Sequence, residues 1–196
     1  MTKEKINNKD VWKFDSHFGF NRSWWNYYSD YKKVVDIITN GIKNREYLID
    51  EVSLPLLFLI RHSLELGFKT NILEFQKINP EISRIRLKGI TYHSLENLFN
   101  KLIEHLDCLK NKCKMRNEFL TQTDGYIKKL TPLKNKLNNL DRWSTNFRYP
   151  VDTDGNHNFA LEASENIAEI IDLFNDIQPL LLYTVDVLID AGIIEG

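Results

Sequence analysis

Apolar residues recur every three or four positions through most of the chain, a spacing typical of amphipathic α-helices. The first such stripe predicts a helix that begins after an N-capping Ser23 and stops near Gly41. Its apolar face is formed by Trp24, Tyr28, Tyr31, Val35 and Ile38. Residues 1–20 are polar and then aromatic without a helical period, and they predict a tail or irregular lead-in.

The next segment, 45–78, predicts a long central helix. Between residues 48 and 60 it is apolar on nearly all sides, so other helices should cover it. Pro55 lies inside this helix and predicts a kink or a short break near residues 52–53. The Asn-Pro pair at 79–80 ends the helix.

Two further helices are predicted in the middle of the chain. Residues 79–93 lack a helical period and predict a basic loop or, at most, a short strand. A third helix follows Ser94, and a fourth spans about 116–140. The Asp-Gly pair at 124–125 and Pro132 are points at which the fourth helix can be interrupted.

The C-terminal part combines a non-helical insertion with a last helix. Near residues 143–160, two short extended arms around Gly155 predict a small β-hairpin or an irregular ordered loop. The last helix begins near 162–164 and bends at Pro179. No repeat or linker divides the chain, so the sequence predicts an all-α domain of residues 21–196, a five-helix bundle with one insertion.

Composition and charge narrow the classes of function. Among 196 residues, 42% are hydrophobic, which is enough for a core and excludes global disorder. The 26 basic and 27 acidic residues nearly cancel, so binding to nucleic acid would require a local basic patch.

The polar N-terminus and the short apolar run at 54–60 predict neither a signal peptide nor a membrane span, and hence a cytoplasmic protein. Cys108 and Cys113 predict free thiols, and no cofactor or metal motif is recognised.

Three charged residues lie on one side of the predicted central helix. Arg61, Glu65 and Lys69 are spaced by four, which aligns them on one helix face. Charges on an otherwise apolar helix are costly unless they are paired. One interpretation is a salt-bridged row, partly exposed at a groove. The other is a patch facing phosphate or RNA, in which Arg61 donates hydrogen bonds and His62 titrates.

A second candidate lies at the start of the third helix. Ser94 is suited to cap this helix, with His93 as a polar loop residue. Alternatively, His93 lies beside a bound anion, because the free amides of a helix N-terminus attract negative charge.

The insertion provides a third candidate, in which aromatic and basic side chains alternate. These residues are Arg142, Trp143, Phe147, Arg148 and Tyr149, followed by Asp152. The combination suits stacking on bases together with contacts to phosphate. The same aromatic residues equally suit the packing of an irregular segment on the bundle, and the sequence leaves both interpretations open.

The central helix and the helix after it resemble the HEPN superfamily. The resemblance rests on Arg61-His-Ser-Leu-Glu65 with Lys69, and on His93-Ser-Leu-Glu-Asn-Leu98 at the next helix. It covers about residues 24–110 and, with the last helix, most of the bundle. HEPN domains are small α-helical domains of prokaryotic toxin–antitoxin, abortive-infection and other phage-defence systems, and the resemblance implies a homodimer.

The resemblance also implies metal-independent ribonuclease activity in members that carry an Arg four to six residues before a His. In those members the pair forms a composite site across the dimer, where His transfers protons and Arg stabilises the phosphorane charge. Here Arg86 precedes His93 with six residues between them, whereas the last helix, from Glu162 onward, contains neither Arg nor His. Members without the motif resemble binding or partner-regulating modules.

The sequence therefore leads to three hypotheses. The first is a HEPN-like dimeric module of a defence or toxin–antitoxin system that binds RNA, a nucleotide or a partner protein. Its candidate binding residues are Arg61, Glu65, Lys69, Arg142, Arg148, Tyr149 and Asp152. The second is a metal-independent ribonuclease that uses His93 with Arg86, or His62 with Arg61, across a dimer interface. The third is a helical scaffold whose aromatic segment 12–31 contacts proteins. The lack of Arg and His in the last helix favours the first.

Overall fold

The computed structural model describes residues 23–85, 90–112, 117–190 and 192–193. These residues form six α-helices, one 3₁₀ turn and no β-strand, so the predicted all-α class is confirmed. None of the described helices combines the length and apolar character needed to cross a membrane. The helices are α1 (Trp24–Lys43), α2 (Ile49–Ile78), α3 (Leu95–Lys112), α4 (Asn117–Leu140), α5 (Ile167–Asp176) and α6 (Gln178–Asp190), with the 3₁₀ turn at Ile90–His93.

Helix α1 begins at a side-chain cap, and near its end it packs closely against the chain that follows. Ser23 caps the helix as predicted, because its Oγ accepts a hydrogen bond from the amide of Asn26 at 3.0 Å. Gly41 does not end the helix. Its lack of a side chain instead makes room for Tyr47, whose Cε2 would lie 2.2 Å from a Cβ at this position.

Helix α2 is continuous, so the predicted break near residues 52–53 is wrong. Pro55 lies in the second turn, where its missing amide deprives the carbonyl of Glu51 of its helical partner. Because Glu51 is in the exposed first turn, water can satisfy that carbonyl.

Only the later part of α2 forms the centre of the core. Leu48 and Leu54 are 69% and 43% exposed, so the expectation that the whole apolar run is covered is wrong for its first part. From Leu56 onward most residues are buried, in a helix packed against α1, α3 and α6. The first turns of α2 are not surrounded by other helices, and a helix that is apolar on all sides needs neighbours on every side to be fully buried.

The region between α4 and α6 is irregular rather than a regular hairpin. The described part of the insertion has a single antiparallel bridge, between Val151 and His157, so the hairpin alternative is not confirmed. Helix α4 continues through both predicted points of interruption. The last predicted helix begins later, at an Asn166 cap, and is divided at Ile177 into α5 and α6. Pro179 lies in the first turn of α6, where its missing amide hydrogen is not required.

Buried polar contacts fix α6 against α1 and α2. The phenol of Tyr28 donates to Oε1 of Gln178 at 2.5 Å, and Nδ2 of Asn71 donates to the carbonyl of Leu181 at 2.9 Å. Burial is the main reason that the pKa of the Tyr28 phenol is raised. Helix α6 is therefore held in register by hydrogen bonds as well as by apolar packing.

We predict that Tyr28→Phe destabilises the fold by about 1–3 kcal/mol, because it leaves the buried acceptor of Gln178 without its donor. The matched control is Tyr27→Phe, since the neighbouring ring is 49% exposed and should tolerate the change. Urea denaturation of both variants measures the difference. Equal free energies of unfolding for the two variants would contradict the role of this hydrogen bond.

Candidate functional site

A buried ion cluster occupies the middle of α2 and consists of Arg61, Glu65 and Lys69. Glu65 pairs with both cations: its Oε2 lies 3.4 Å from Nη1 of Arg61, and its Oε1 lies 2.5 Å from Nζ of Lys69. The three side chains are only 0–1% exposed. The predicted pairing along the helix is therefore present, but the partly exposed groove is not.

Arg61 joins α2 to two other segments through its remaining donors. Its Nε donates to the carbonyl of Asp141 at 2.8 Å. Its Nη2 donates to the carbonyls of His93 at 2.9 Å and Arg142 at 3.3 Å. Burial lowers the pKa of Arg61, while the charges of Asp141 and Glu65 oppose that shift. Because protein acceptors already occupy the guanidinium, Arg61 acts in this structure as a clamp and not as a ligand-facing donor.

The charges of the cluster depend on one another. Burial alone would raise the pKa of Glu65, but the charge and hydrogen bond of Lys69 outweigh it and lower that pKa. Burial lowers the pKa of Lys69, against the opposing effect of Glu65. The ammonium of Lys69 also lies 3.1 Å from the centre of the Tyr92 ring and 5.8 Å from that of Trp24. These ring faces partly replace the water that Lys69 loses on burial.

His93 extends the cluster toward the surface. Its Nδ1 lies 2.8 Å from Oε1 of Glu65, and its side chain is half exposed. A carboxylate accepts hydrogen bonds, so Nδ1 carries the hydrogen and Nε2 is the nitrogen left for solvent or a ligand. Ser94 caps α3 as predicted, with its Oγ 3.3 Å from the amide of Asn97. The capping interpretation of Ser94 therefore holds. His93, in contrast, is not simply a polar loop residue, because its ring is hydrogen-bonded to Glu65.

His62 lies on α2 one turn before Glu65. Its half-buried ring makes an edge contact with Tyr31, at 4.5 Å between ring centres, and stacks on Phe58 at 5.8 Å. Burial is the largest cause of its lowered pKa, and the positive charges of Lys69 and other neighbours add to that effect. At neutral pH the imidazole of His62 is therefore expected to be uncharged, with its ring fixed by these aromatic contacts.

The insertion presents two arginine–aromatic pairs at the surface. The guanidinium of Arg142 lies 4.9 Å from the centre of the Trp143 ring, and that of Arg148 lies 5.4 Å from the centre of Tyr149. Trp143 is 46% exposed and Tyr149 is 55% exposed. Arg148 also lies 6.0 Å from the Phe58 ring, which places the second pair next to the neighbourhood of His62.

Two other aromatic residues of the insertion, Phe147 and Phe159, pack inward. Phe147 is buried and stacks on Phe159, with 6.1 Å between ring centres. Both interpretations of the alternating sequence are therefore needed, since Phe147 and Phe159 anchor the insertion whereas Trp143 and Tyr149 are available for contact.

Two predicted site residues do not join this arrangement. The carboxylate of Asp152 accepts hydrogen bonds from the amides of Asp154 and Asn156, at 2.9 Å each, and these bonds lower its pKa. The carboxylate of Asp152 thus closes its own turn. Arg86 lies outside the described residues.

Sequence reasoning missed Asp141, which lies at the centre of the junction. Its side chain is fully buried and accepts a hydrogen bond from the amide of Thr145 at 2.7 Å, while its carbonyl binds Arg61. A carboxylate directly after the C-terminus of a helix is unfavourable for the helix dipole. The position of Asp141 directly after a predicted helix could therefore have indicated that its carboxylate has a structural partner.

Comparison with known proteins adds no assignment. No family model, curated protein or solved structure matches the chain. Within the described ranges, no group of three or more His, Cys, Asp and Glu residues is arranged to hold a metal ion. The geometry of His93, His62 and the insertion is therefore the basis for a functional assignment.

We predict that Glu65→Gln costs about 3–5 kcal/mol of folding free energy, because it leaves Arg61 and Lys69 buried without a counter-charge. The matched control is Glu74→Gln on the same helix, whose pair with Lys77 is largely exposed and worth about 1 kcal/mol or less. Denaturant unfolding of both variants at neutral pH gives the comparison. Similar losses in the two variants would show that the cluster is not the buried unit described above.

The free energy of unfolding of Glu65→Gln should also depend on pH differently from that of the wild type. A carboxyl group whose pKa is lower in the folded state binds its proton first in the unfolded state as the pH falls. Glu65 therefore contributes stability above its ordinary pKa of 4.5, and that contribution is lost as the pH falls through the lower folded-state pKa. The acid-induced loss of stability should be smaller in Glu65→Gln than in the wild type.

Proposed function

We propose that this chain is a HEPN-like module that binds single-stranded RNA. The proposed surface, called the insertion face below, comprises His62, His93 and the segment 142–149. The observation that carries the proposal is the pair of exposed arginine–aromatic contacts beside a half-exposed histidine. The resemblance to HEPN domains supports a place in a prokaryotic defence or toxin–antitoxin system.

The two arginine–aromatic pairs have the chemistry that an unpaired strand requires. In each pair the guanidinium covers the aromatic ring, and the exposed remainder of Trp143 or Tyr149 can stack on a base. Arg142 and Arg148 supply planar, permanently charged donors for phosphate oxygens. Bases within a duplex are already stacked, so this arrangement favours single strands over duplexes.

The insertion face also has rigid support. The buried guanidinium of Arg61 holds the carbonyls of Asp141 and Arg142, directly before Trp143. Phe147 anchors the middle of the segment in the core. Such fixation reduces the entropy that the segment would lose on binding and thereby favours affinity.

The near-neutral net charge limits how RNA can be attracted. With a formal charge of −1, the protein as a whole does not concentrate phosphate around itself. Affinity would depend on the local arginines and on stacking, so only a modest salt dependence is expected. A mononucleotide could engage one arginine–aromatic pair, whereas a strand can engage both.

A homodimer is part of the proposal. Tyr27, Val34 and Ile37 form an exposed apolar row on α1, with exposed fractions of 49%, 42% and 56%. Burial of such a row against a second copy would remove it from water. The same row would also serve the scaffold hypothesis, in which a different protein covers it.

Cleavage of RNA is the second candidate function, and one specific contact favours it. Glu65 holds Nδ1 of His93 and leaves the other nitrogen of a half-exposed ring for proton transfer. This carboxylate–histidine geometry is common to acid–base sites that need no metal. The alternative pairing of His62 with Arg61 is less suitable, because the donors of Arg61 are occupied by protein groups.

We predict that the wild type binds labelled single-stranded RNA more tightly than the matching duplex in fluorescence anisotropy. Trp143→Ala and Tyr149→Ala should each weaken binding about five- to a hundredfold, since stacking is worth roughly 1–3 kcal/mol per base. Arg148→Gln should reduce the slope of log affinity against log salt by about 0.7, the value for one phosphate contact on a single strand.

The matched control is Arg45→Gln, which removes an exposed arginine from the loop between α1 and α2. This variant should bind like the wild type. Binding that is weakened equally by Arg45→Gln and Arg148→Gln would contradict a localised insertion face. No binding of single-stranded RNA by the wild type would overturn the proposal itself.

A further inference from the structure

We propose that a groove between α4 and α6 binds an amphipathic helix of another protein, in which Lys and Arg flank the apolar side. This groove, called the α4–α6 groove below, lies on helices that are not part of the insertion face or of the apolar row on α1. The proposal does not depend on RNA binding. It assigns to the molecule a separate surface for a protein partner of defined chemistry.

The α4–α6 groove lies where two helices pack on common neighbours but not closely on each other. Helix α4 packs on α3 and α5, whereas α6 packs on α2 and α5. A gap remains between the first half of α4 and α6. The side chains that line its walls are Phe119, Gln122 and Tyr126 on α4 and Tyr183 and Val187 on α6. A narrower cavity shares Phe119 with the groove and continues inward to Leu106 and Leu109 of α3.

The floor of the groove is apolar in effect, although it contains two threonines. Thr123 and Thr184 are both buried. Each hydroxyl donates a hydrogen bond to the carbonyl four residues earlier in its own helix, at 2.8 and 2.5 Å. Because these two hydroxyls are already satisfied, an apolar side chain can cover them without leaving a buried donor unpaired.

The dimensions of the groove suit the side chains of a helix better than a small molecule. Its cavity volume of about 90 Å³ is well below the roughly 300–1,000 Å³ of small-molecule sites. From Phe119 to Tyr126 the lining extends over two helical turns, roughly 11 Å at 1.5 Å per residue. A partner helix presents apolar residues at i, i+3 or i+4 and i+7 over the same distance. Such a helix would also cover Tyr183 and Val187, which are exposed.

The charge along α6 identifies the class of partner. Residues 162–196 contain eight of the 27 acidic residues and no Lys, Arg or His. The acidic residues of α5 are partly neutralised by lysines of α4. Asp186 and Asp190 are different, because no described residue forms an ion pair with either of them. They lie on the same side of α6 as Tyr183 and Val187, since the four positions are three, four and seven residues apart along the helix.

The opposite edge of the groove does not offset this negative charge. On α4 the exposed residue next to Phe119 is another acid, Glu118. Lys110 reaches the inner end of the gap, but its ammonium is paired with Asp124 at 2.6 Å and with Asp107 at 3.5 Å. An apolar groove with acidic edges repels phosphate groups of RNA and of anionic membranes. It attracts a cationic helix and favours one orientation of that helix.

The test uses three synthetic helical peptides with the same length and the same apolar residues. Their apolar side is flanked by Lys in the first, Gln in the second and Glu in the third. In fluorescence anisotropy with the full chain, the Lys peptide should bind on the order of tenfold more tightly than the Gln peptide, and the Glu peptide most weakly. Amide shifts in NMR should change within 117–126 and 178–190 when the Lys peptide binds.

Substitutions at the groove distinguish specific docking from general attraction. The double variant Asp186→Lys/Asp190→Lys should reverse the order of the Lys and Glu peptides. Tyr183→Ala should weaken the binding of the Lys peptide by about fivefold or more, as is usual for a tyrosine at the centre of an interface. The matched controls are Asp172→Lys on α5 and Tyr27→Ala on α1, which change exposed residues of the same types away from the groove lining. Both controls should bind the Lys peptide like the wild type.

Each other result would overturn the proposal. Failure of the Lys peptide to bind the wild type would do so, and so would an order of affinities that the double variant leaves unchanged. A gain of affinity for the Glu peptide cannot result from unfolding, so the double variant remains informative. Equal weakening by Asp172→Lys would indicate diffuse attraction to an acidic region. Light scattering addresses a second copy: a dimer lost in Tyr183→Ala but kept in Tyr27→Ala would show that another copy of the chain fills the groove.

Discussion

The rest of the site depends on a single carboxylate, that of Glu65, placed between two buried cations. Burial of a guanidinium and an ammonium is expensive, and the attraction of Glu65 for both offsets that cost. Hydrophobic side chains could fill the same volume without the cost of removing charges from water. The cluster therefore contributes position rather than net stability: it fixes where Arg61 and Lys69 point, and both side chains reach beyond α2.

The consequences extend through three segments that are distant in sequence. Arg61 binds carbonyls at the start of α3 and at the end of α4, and Lys69 lies over the ring of Tyr92. Together these contacts bring the turn with His93 and the start of the insertion to the same part of α2. The insertion can remain irregular because its ends are fixed by charge-assisted hydrogen bonds instead of a β-sheet. Functional groups on irregular segments with rigid support are a common arrangement for binding and catalysis.

The sequence predicted what is local and failed where partners are distant along the chain. The helical period located α1, α3 and α4, and the spacing of four residues revealed the pairing within the ion cluster. The same spacing could not show that the cluster is buried, because its cover comes from residues 92–93 and 141–142. Asp141 was missed for this reason. The predicted break near Pro55 was wrong because the carbonyl that loses its partner, that of Glu51, lies in the exposed first turn, where water can satisfy it.

The arrangement requires that the guanidinium of Arg61 is buried and bonded to the main chain of residues 141–142. NMR detection of the arginine Nε–H groups in D₂O tests it most directly, with the Arg61 signal identified by its loss in Arg61→Lys. The Arg61 signal should persist after those of exposed arginines such as Arg142 have exchanged, because Nε of Arg61 donates to the carbonyl of Asp141 in the interior. Exchange of the Arg61 signal as fast as that of Arg142 would show that the Arg61 guanidinium is not buried and bonded in this way.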